Sequence, residues 1–382
     1  MERILPFTEE HMMFRQAFGR FLDQEIVPHF EQWEEDGIVP REIFKKFGDH
    51  GYLCTWAEEE YGGANADFLY SVIAVEETVA RGLTALFTFL HSDIVAPYLA
   101  SYATPEQKKR WLPKCVSGES ILAIAMTEPE AGSDLQAMRT RAEKVGSEYV
   151  LNGSKTFISC GINADLVVVA AKTDPNAQPS YKSVSLFVVE RGTPGFERGR
   201  AIKKIGLHAQ DTAELFFDNC RIPQENLLGE EGMGFIYLME KLQQERLIAA
   251  LGGIVTAEAC LKLTIDYVKE RKLFGRPLSK FQNTQFELAK IASAAQAGRC
   301  FVDQLILAHM AGHNIVQEVS MAKYWCCELG HRAADRCLQL FGGYGYCKEY
   351  PISRHFVDSR ISTIFAGASE VMLSLVARNL GL

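Results

Sequence analysis

Glu245 is an acid set among apolar residues. Leu238 and Leu242 lie seven and three positions before it, and Ile248 and Ala249 three and four after it. That spacing places all five on one face of a helix. Burying a carboxylate on an apolar stripe is costly, and the same burial raises its pKa toward neutrality, where it can serve as a general base. The structural alternative is that Glu245 pairs with Arg246 or another cation. A second candidate is Met126–Leu135, Met-Thr-Glu-Pro-Glu-Ala-Gly-Ser-Asp-Leu. Pro129 and Gly132 bend this segment, which leaves backbone amides and the hydroxyls of Thr127 and Ser133 free for a ligand. An ordinary surface loop is the competing reading.

Other chemistries lack their signatures. The sequence has no G-x-G-x-x-G, no Walker loop and no G-x-S-x-G; Gly153-Ser154-Lys155 has no upstream glycine partner. His309 and His313 are four apart, but no carboxylate accompanies them and Gly312 marks a helix end, so a metal site is not expected. The ten cysteines run from Cys54 to Cys347 without a C-x-x-C, and most read as small core hydrophobes.

Three stretches must position these residues. The first 121 residues read as helical. Phe7–Ile26 has apolar residues at helical spacing and is expected to stop before Pro28. Glu58–Ala66 is a polar, glycine-rich loop, Tyr70–Tyr102 resumes the helical period, and Thr104-Pro105-Glu106 is helix-start chemistry. Residues 122–227 read as an all-β module. In it, Asn152-Gly153 between two alternating runs predicts a hairpin turn, and Leu166–Ala171, Val184–Glu190 and Glu214–Asp218 are further strands. Residues 228–382 are helical again: Ile236–Lys269, Gln282–Met310, Ile315–Leu340 and Ser369–Leu380 have the lengths of a four-helix bundle.

Composition sets the class. Of 382 residues, 47% are hydrophobic and 23% charged, enough to bury a sizeable core. Forty basic against 48 acidic residues give a net charge of −8, which argues against nucleic acid or an anionic membrane as the main partner. No apolar run in the sequence reads as a membrane span, and the N-terminal residues resemble neither a signal nor a transit peptide. A bacterial cytoplasmic location is expected, or a mitochondrial matrix in a eukaryote.

The segment Met126–Leu135 resembles the T-E-P-x-A-G-S-D flavin loop of the acyl-CoA dehydrogenase family, with Glu130 where many members have glycine. Three more stretches resemble the family in order along the chain: Asn152–Gly161, Arg271–Gln282 and Gln339–Gly343. The resemblance implies an α+β fold of three domains: an N-terminal helical domain (1–121), a middle β-domain (122–227) and a C-terminal four-helix bundle (228–382). It implies FAD as cofactor. The matching positions are Ile124, Met126, Thr127, Gly132 and Ser133 in the first segment, and Phe157, Ile158 and Ser159 in the second. Phe157 stands where an aromatic covers the flavin, and Ser159 where a hydroxyl approaches flavin N5. Arg271, Phe274 and Gln282 match the stretch that reaches the FAD of a neighbouring subunit, Gln339, Gly342 and Gly343 match another cofactor segment, and Ala368, Ser369 and Glu370 complete the set.

The family removes an α-proton from an acyl-CoA thioester while flavin N5 takes the β-hydrogen as hydride, giving the trans-2-enoyl-CoA. Many members carry the base in a near-C-terminal E-G-T-S segment. Here Ile364–Glu370 matches it, with Ala366 at the base position. Leu242–Ala249 matches the second location known for the base, in isovaleryl- and long-chain-type enzymes, and makes it Glu245. The backbone N–H at Ala366 would still polarise the thioester carbonyl, as an oxyanion hole does. By the same resemblance, Ser133, Tyr181, Lys182, Gln243, Arg246, Gly367 and Asp93 are substrate-binding candidates, though Asp93 also reads as a solvated helix residue. Expected partners are a medium-to-long or branched acyl-CoA, an electron-transfer flavoprotein and further copies of the chain, as in a homotetramer. The alternatives are an acyl-CoA oxidase, or a flavoprotein scaffold without catalysis.

Overall fold

The computed structural model describes residues 3–382, so Met1 and Glu2 of the expected N-terminal unit lie outside the described residues. Helix α1 (Glu9–Phe21) starts at Thr8, whose hydroxyl accepts the His11 amide while the His11 ring accepts the Thr8 amide. The chain does not stop before Pro28. Leu22–Ile26 widens into a π-helical turn, the Val27 amide reaches back five residues to the Leu22 carbonyl, and α2 (Val27–Asp36) follows with Pro28 in its first turn. A proline there lacks an N–H that the first turn leaves unpaired anyway. The device recurs: Leu90–Val95 is π-helical, the Ala96 amide bonds the His91 carbonyl, and Pro97 opens α5 (Ala96–Tyr102). Between these lie α3 (Arg41–Asp49) and α4 (Phe68–Ala80). The Tyr70–Tyr102 period is therefore broken; α4 ends at Ala80, and the chain turns at Gly82, where φ is +71°. Thr104 caps α6 (Pro105–Val116) together with Gln107, as its sequence predicts.

The middle segment forms one eight-stranded sheet. Its strands are β1 (Leu122–Ala125), β2 (Arg141–Val145), β3 (Glu148–Ser159), β4 (Leu166–Lys172), β5 (Val184–Glu190), β6 (Phe196–Ala201), β7 (Thr212–Pro223) and β8 (Leu227–Leu228). The order is β6-β7-β3-β2-β4-β5-β8, with β1 parallel to β4. Asn152-Gly153 is not a hairpin turn. Both flanking runs belong to β3 and both pair with β7, and the register slips between Leu151 and Gly153, so the dipeptide is a bulge. A Cβ on Gly153 would lie 2.5 Å from the Thr140 hydroxyl oxygen, which explains the glycine. The hairpin turn sits earlier, between β2 and β3.

The C-terminal segment contains α7 (Gly234–Glu270), a small hairpin of β9 (Lys272–Leu273) and β10 (Arg276–Pro277), α8 (Gln282–Met310), α9 (Val316–Phe341), α10 (Pro351–Ser359) and α11 (Ser369–Asn379). The short α10 adds a helix to the expected four. By length and apolarity α7 meets the criteria for a membrane span, against the sequence expectation, yet it is the core helix, and Glu245, Leu247, Leu251, Ile254 and Ala257 on it are all buried.

Two contacts fix α7. Against α9 the backbones touch: a Cβ on Gly253 would sit 2.6 Å from the Cys326 carbonyl oxygen, and one on Gly330 2.6 Å from that of Gly253. Against α4, the residues Leu69, Val72, Val75 and Val79 share a core with Ile248, Leu251 and Ile254. The two helices run side by side in the same direction. Phe68 packs on His309, which bonds Gln244, while Glu76 shares Arg299 with Glu258 one helical stretch later.

Gly253→Ala is expected to lower stability by about 1–3 kcal/mol through overpacking. Gly252→Ala is expected to raise it by up to about 1 kcal/mol, because helix propensity improves and its Cβ meets nothing within 4 Å. Thermal unfolding of the pair measures both signs; equal shifts would contradict the close α7–α9 contact.

Candidate active site

A cavity of about 450 Å³ lies between the sheet and the helices. Ile124, Met126, Thr127, Gly132, Ser133, Phe157, Ile158 and Ser159 line it from the β side. A buried ion pair holds that wall. Lys155, fully buried, donates to the Met126 carbonyl at 3.0 Å and to Glu128 at 2.8 Å, and Glu128 also accepts the Thr140 amide at 3.0 Å. The Thr156 amide bonds the Thr127 carbonyl, so the loop after β1 is stitched to β3. Burial lowers the Lys155 ammonium to about 8 against the attraction of Glu128. Phe157 is 66% exposed on a backbone at φ +58°, a left-handed conformation that costs a bulky residue free energy and sets its ring on the cavity. The hydroxyls of Thr127, Ser133 and Ser159 bond no other residue among those described.

The helices supply the opposite wall: Leu242, Glu245, Arg246, Ile248 and Ala249 of α7, with Phe365, Ala366 and Gly367. Glu245 is 5% exposed and makes no ion pair with Arg246 among the described residues. Its partner is Tyr98 of α5, whose hydroxyl donates to Oε1 at 2.8 Å. Burial pushes the Glu245 carboxyl up to about 7; the Tyr98 hydrogen bond and the charges of Arg246 and Lys241 pull the other way. Arg246 is itself 6% exposed, with a buried Nε that has no partner and one long contact, 3.4 Å, to Ser320. Ala366 stands at φ +51°, and its amide donates to no group among the described residues. The loop is pinned behind it: buried Lys323 donates to the Gly367 carbonyl at 2.6 Å. The cavity thus faces an unneutralised carboxyl group with a free backbone N–H, a base and an oxyanion donor in one space.

The other candidates divide. Arg271, Gln339, Gly342 and Gly343 line a second cavity of about 670 Å³ with Tyr344. Phe274 stands 89% exposed at the tip of the β9–β10 hairpin, and Gln282 is exposed at the start of α8; neither lines either cavity. Ala368, Ser369 and Glu370 begin α11 outside both, with the Ser369 hydroxyl bonded to Glu328 at 2.7 Å. Tyr181 and Lys182 lie on a 3₁₀ turn, where the Tyr181 ring is 6.5 Å from Phe235 of the cavity wall.

Two expectations are corrected. Gln243 does not face the cavity: its amide donates to the His313 carbonyl at 3.1 Å and accepts the Ile315 amide at 2.9 Å, which ties α7 to the α8–α9 connection. Asp93 is neither solvated nor on the cavity wall. It is 5% exposed, accepts the Ser71 hydroxyl at 2.6 Å, and burial raises its carboxyl to about 7 against that bond. No group of three or more His, Cys, Asp or Glu residues suited to a metal occurs among the described residues. Eight of the ten cysteines are buried; Cys300 and Cys347 are exposed.

Sequence reasoning missed Tyr98 and Lys323. Tyr98 meets Glu245 across 147 residues of chain, and nothing local marks it. Lys323 did leave a sign: on α9 it stands one residue from Ala322 and three from Cys326, both buried.

Two titrations test this geometry. A carboxyl group whose folded pKa is raised from 4.5 to about 7 costs stability as pH rises through that window. Glu245→Gln is therefore expected to be the more stable protein at pH 8, by up to about 3 kcal/mol, with the difference vanishing below about pH 4.5. Unfolding midpoints against pH measure it. Tyr98→Phe removes a donor to the carboxylate, so the Glu245 carboxyl resonance should titrate at higher pH than in the wild type; an unmoved or lowered midpoint would contradict the contact.

Known proteins match this chain over its whole length. Family models described as the N-terminal, middle and C-terminal domains of acyl-CoA dehydrogenase match residues 8–119, 123–220 and 232–381. The mouse mitochondrial long-chain specific acyl-CoA dehydrogenase is 44% identical over 374 residues, 98% of this chain and 87% of the relative. The crystal structure of acyl-CoA dehydrogenase from Geobacillus kaustophilus superposes with a TM-score of 0.98 at 55% identity, covering 100% of both chains. A glutaryl-CoA dehydrogenase from Mycobacterium smegmatis, solved in complex with FADH2, superposes with a TM-score of 0.90 at 29% identity, covering 98% of this chain and 95% of that one. The chain belongs to the acyl-CoA dehydrogenase family of oxidoreductases.

Proposed function

We propose that this protein converts a long-chain acyl-CoA to the trans-2-enoyl-CoA, with Glu245 removing the α-proton. The observation that carries the reading is the carboxyl group of Glu245, buried on the cavity wall without a cation partner and raised to about 7. A carboxyl group with that pKa is half deprotonated near neutral pH and becomes more basic when a bound thioester excludes the remaining water. The free Ala366 amide is a donor for the thioester oxygen; charge gathers there as the α-proton leaves, and such a donor contributes about 3 kcal/mol to the transition state. Tyr98 holds the carboxylate in one orientation. Arg246, buried in the same wall, adds positive charge close to the reacting thioester.

The β wall fits FAD. Its exposed ring at Phe157, its three free hydroxyls and Gly132, where a Cβ would meet nothing within 4 Å, form a cradle for a flat aromatic group with polar edges. Met126, Thr127, Ser133, Phe157 and Ser159 would hold it, with Ile124 and Ile158 behind. When bound, FAD supplies the acceptor for the β-hydride. Arg271, Gln339, Gly342 and Gly343 sit in the separate second cavity, which accords with service to the FAD of a neighbouring copy in a homo-oligomer. An electron-transfer flavoprotein is the proposed electron acceptor. The length of the cavity favours a long chain: its lining continues beyond Glu245 through Ile248, Ala249, Gly252 and Thr256, about 16 Å of helix.

Anaerobic mixing of the flavin-loaded protein with acyl-CoA thioesters tests the reading. Hexadecanoyl-CoA is expected to bleach the flavin, and Glu245→Gln to slow bleaching by about 10²–10⁴-fold with flavin content unchanged. Wild-type speed in the variant would remove Glu245 as the base. A flavin that no acyl-CoA reduces would remove the dehydrogenase reading itself.

A further inference from the structure

The cavity reaches a polar residue at its far end. Because α4 and α7 run in the same direction, the C-terminal end of α4 lies at the level of Thr256, far from Glu245. Val75 and Val79 of α4 line the cavity, and so does His355 of α10, which packs beside Gly82. His355 is 3% exposed, and its Nε2 is 3.5 Å from where a Cβ on Gly82 would stand, just past α4. No hydrogen bond from the described residues reaches either ring nitrogen, and Nδ1 is fully buried. Nδ1 is sealed from the cavity, so Nε2, unpaired and not fully buried, is the ring nitrogen open to a partner there.

We propose that His355 receives a neutral hydroxyl group carried near the far end of a long acyl chain. This deepens the acyl-CoA reading and rests on it. Between Glu245 and His355 the wall offers Ile248, Ala249, Gly252, Val75 and Val79, which suit an alkyl chain and carry no side-chain donor or acceptor. Burial and the charge of Arg354 hold the imidazole down at about 4, so it stays neutral and presents one donor and one acceptor. A hydroxyl can answer either tautomer.

A terminal carboxylate does not fit. Asp358, on the same helix, is buried on the same wall, and its oxygens already accept the Leu207 amide at 2.6 Å and the Thr84 hydroxyl at 2.5 Å. It would face an incoming anion as a second acid. Arg354 is engaged by Glu31, and Glu34 adds further negative potential near Asp358. Uncharged Gly82 packs beside the ring, and Val79, Thr84, Thr256 and Gly330, which line the same cavity, bring no charge to it.

The span sets the chain length. About 16 Å of helix, at C–C bonds of about 1.5 Å in a zigzag, corresponds to roughly 13 carbons beyond the α-carbon.

The test compares kcat/KM for 16-hydroxyhexadecanoyl-CoA and hexadecanoyl-CoA on the flavin-loaded enzyme, with butyryl-CoA as a probe too short to reach His355. The wild type is expected to favour the hydroxylated chain about tenfold, the yield of one net hydrogen bond. His355→Leu should abolish or reverse that preference and leave butyryl-CoA turnover unchanged, and His355→Gln should restore part of it. Two results would overturn the proposal: a wild type indifferent to the hydroxyl or preferring the plain chain, or a His355→Leu variant that changes both long chains by the same factor. Turnover of the plain thioesters in those cases leaves the dehydrogenase reading standing; loss of all turnover in the wild type would fell both.

Discussion

The structure depends on an acid kept out of water without a counter-ion. An unpaired buried carboxylate is among the costliest groups a protein can hold, and Glu245 avoids the full cost by titrating near neutrality and by accepting one hydrogen bond from Tyr98. A salt bridge to Arg246 would have stabilised the charged form and drained its basicity. A tyrosine hydroxyl orients the carboxylate while leaving its pKa high. The arrangement works only if the surroundings are rigid and dry, and much of the remaining fold serves that requirement.

Rigidity comes from three places. The glycine contact between Gly253 and Gly330 lets α7 and α9 approach backbone to backbone, which fixes the rotation of α7 and therefore the direction of Glu245. On the other wall, the Lys155–Glu128 pair fastens the loop after β1 to β3, so the strained Phe157 has an anchored strand on which to stand. Behind Ala366, Lys323 holds the Gly367 carbonyl and keeps the free amide in the cavity. Each is a buried charge or a missing side chain whose cost makes sense through the geometry it enforces.

Much of this was legible in the sequence because it depended on local pattern. The long C-terminal helical periods, the Thr104 cap and the apolar stripe around Glu245 are one-dimensional signals, and the structure places them as read. The misreadings share a cause. Asn152-Gly153 has turn chemistry, but turn chemistry closes a hairpin only when the flanking runs pair with each other, and both pair with β7. Pro28 is a helix breaker unless a π turn precedes it, which local propensity does not reveal. Gln243 and Asp93 sit beside cavity-lining neighbours, Leu242 and Ile94, yet a helix turns each successive side chain by about 100°, and that step points them into other contacts. Tyr98 was invisible because its partner is defined by packing alone.

The central claim is that Glu245 exchanges a proton with the carbon beside the thioester, and the direct measurement is that exchange itself. In heavy water, the flavin-loaded enzyme holding a thioester that cannot be oxidised should wash its α-hydrogens into solvent. The account predicts an exchange rate that climbs with pH through neutrality and levels off only well above 7, because the buried carboxyl is half deprotonated at about 7 and the bound thioester raises it further. Exchange that is absent, or that proceeds equally fast at pH 5 and pH 8, would contradict it.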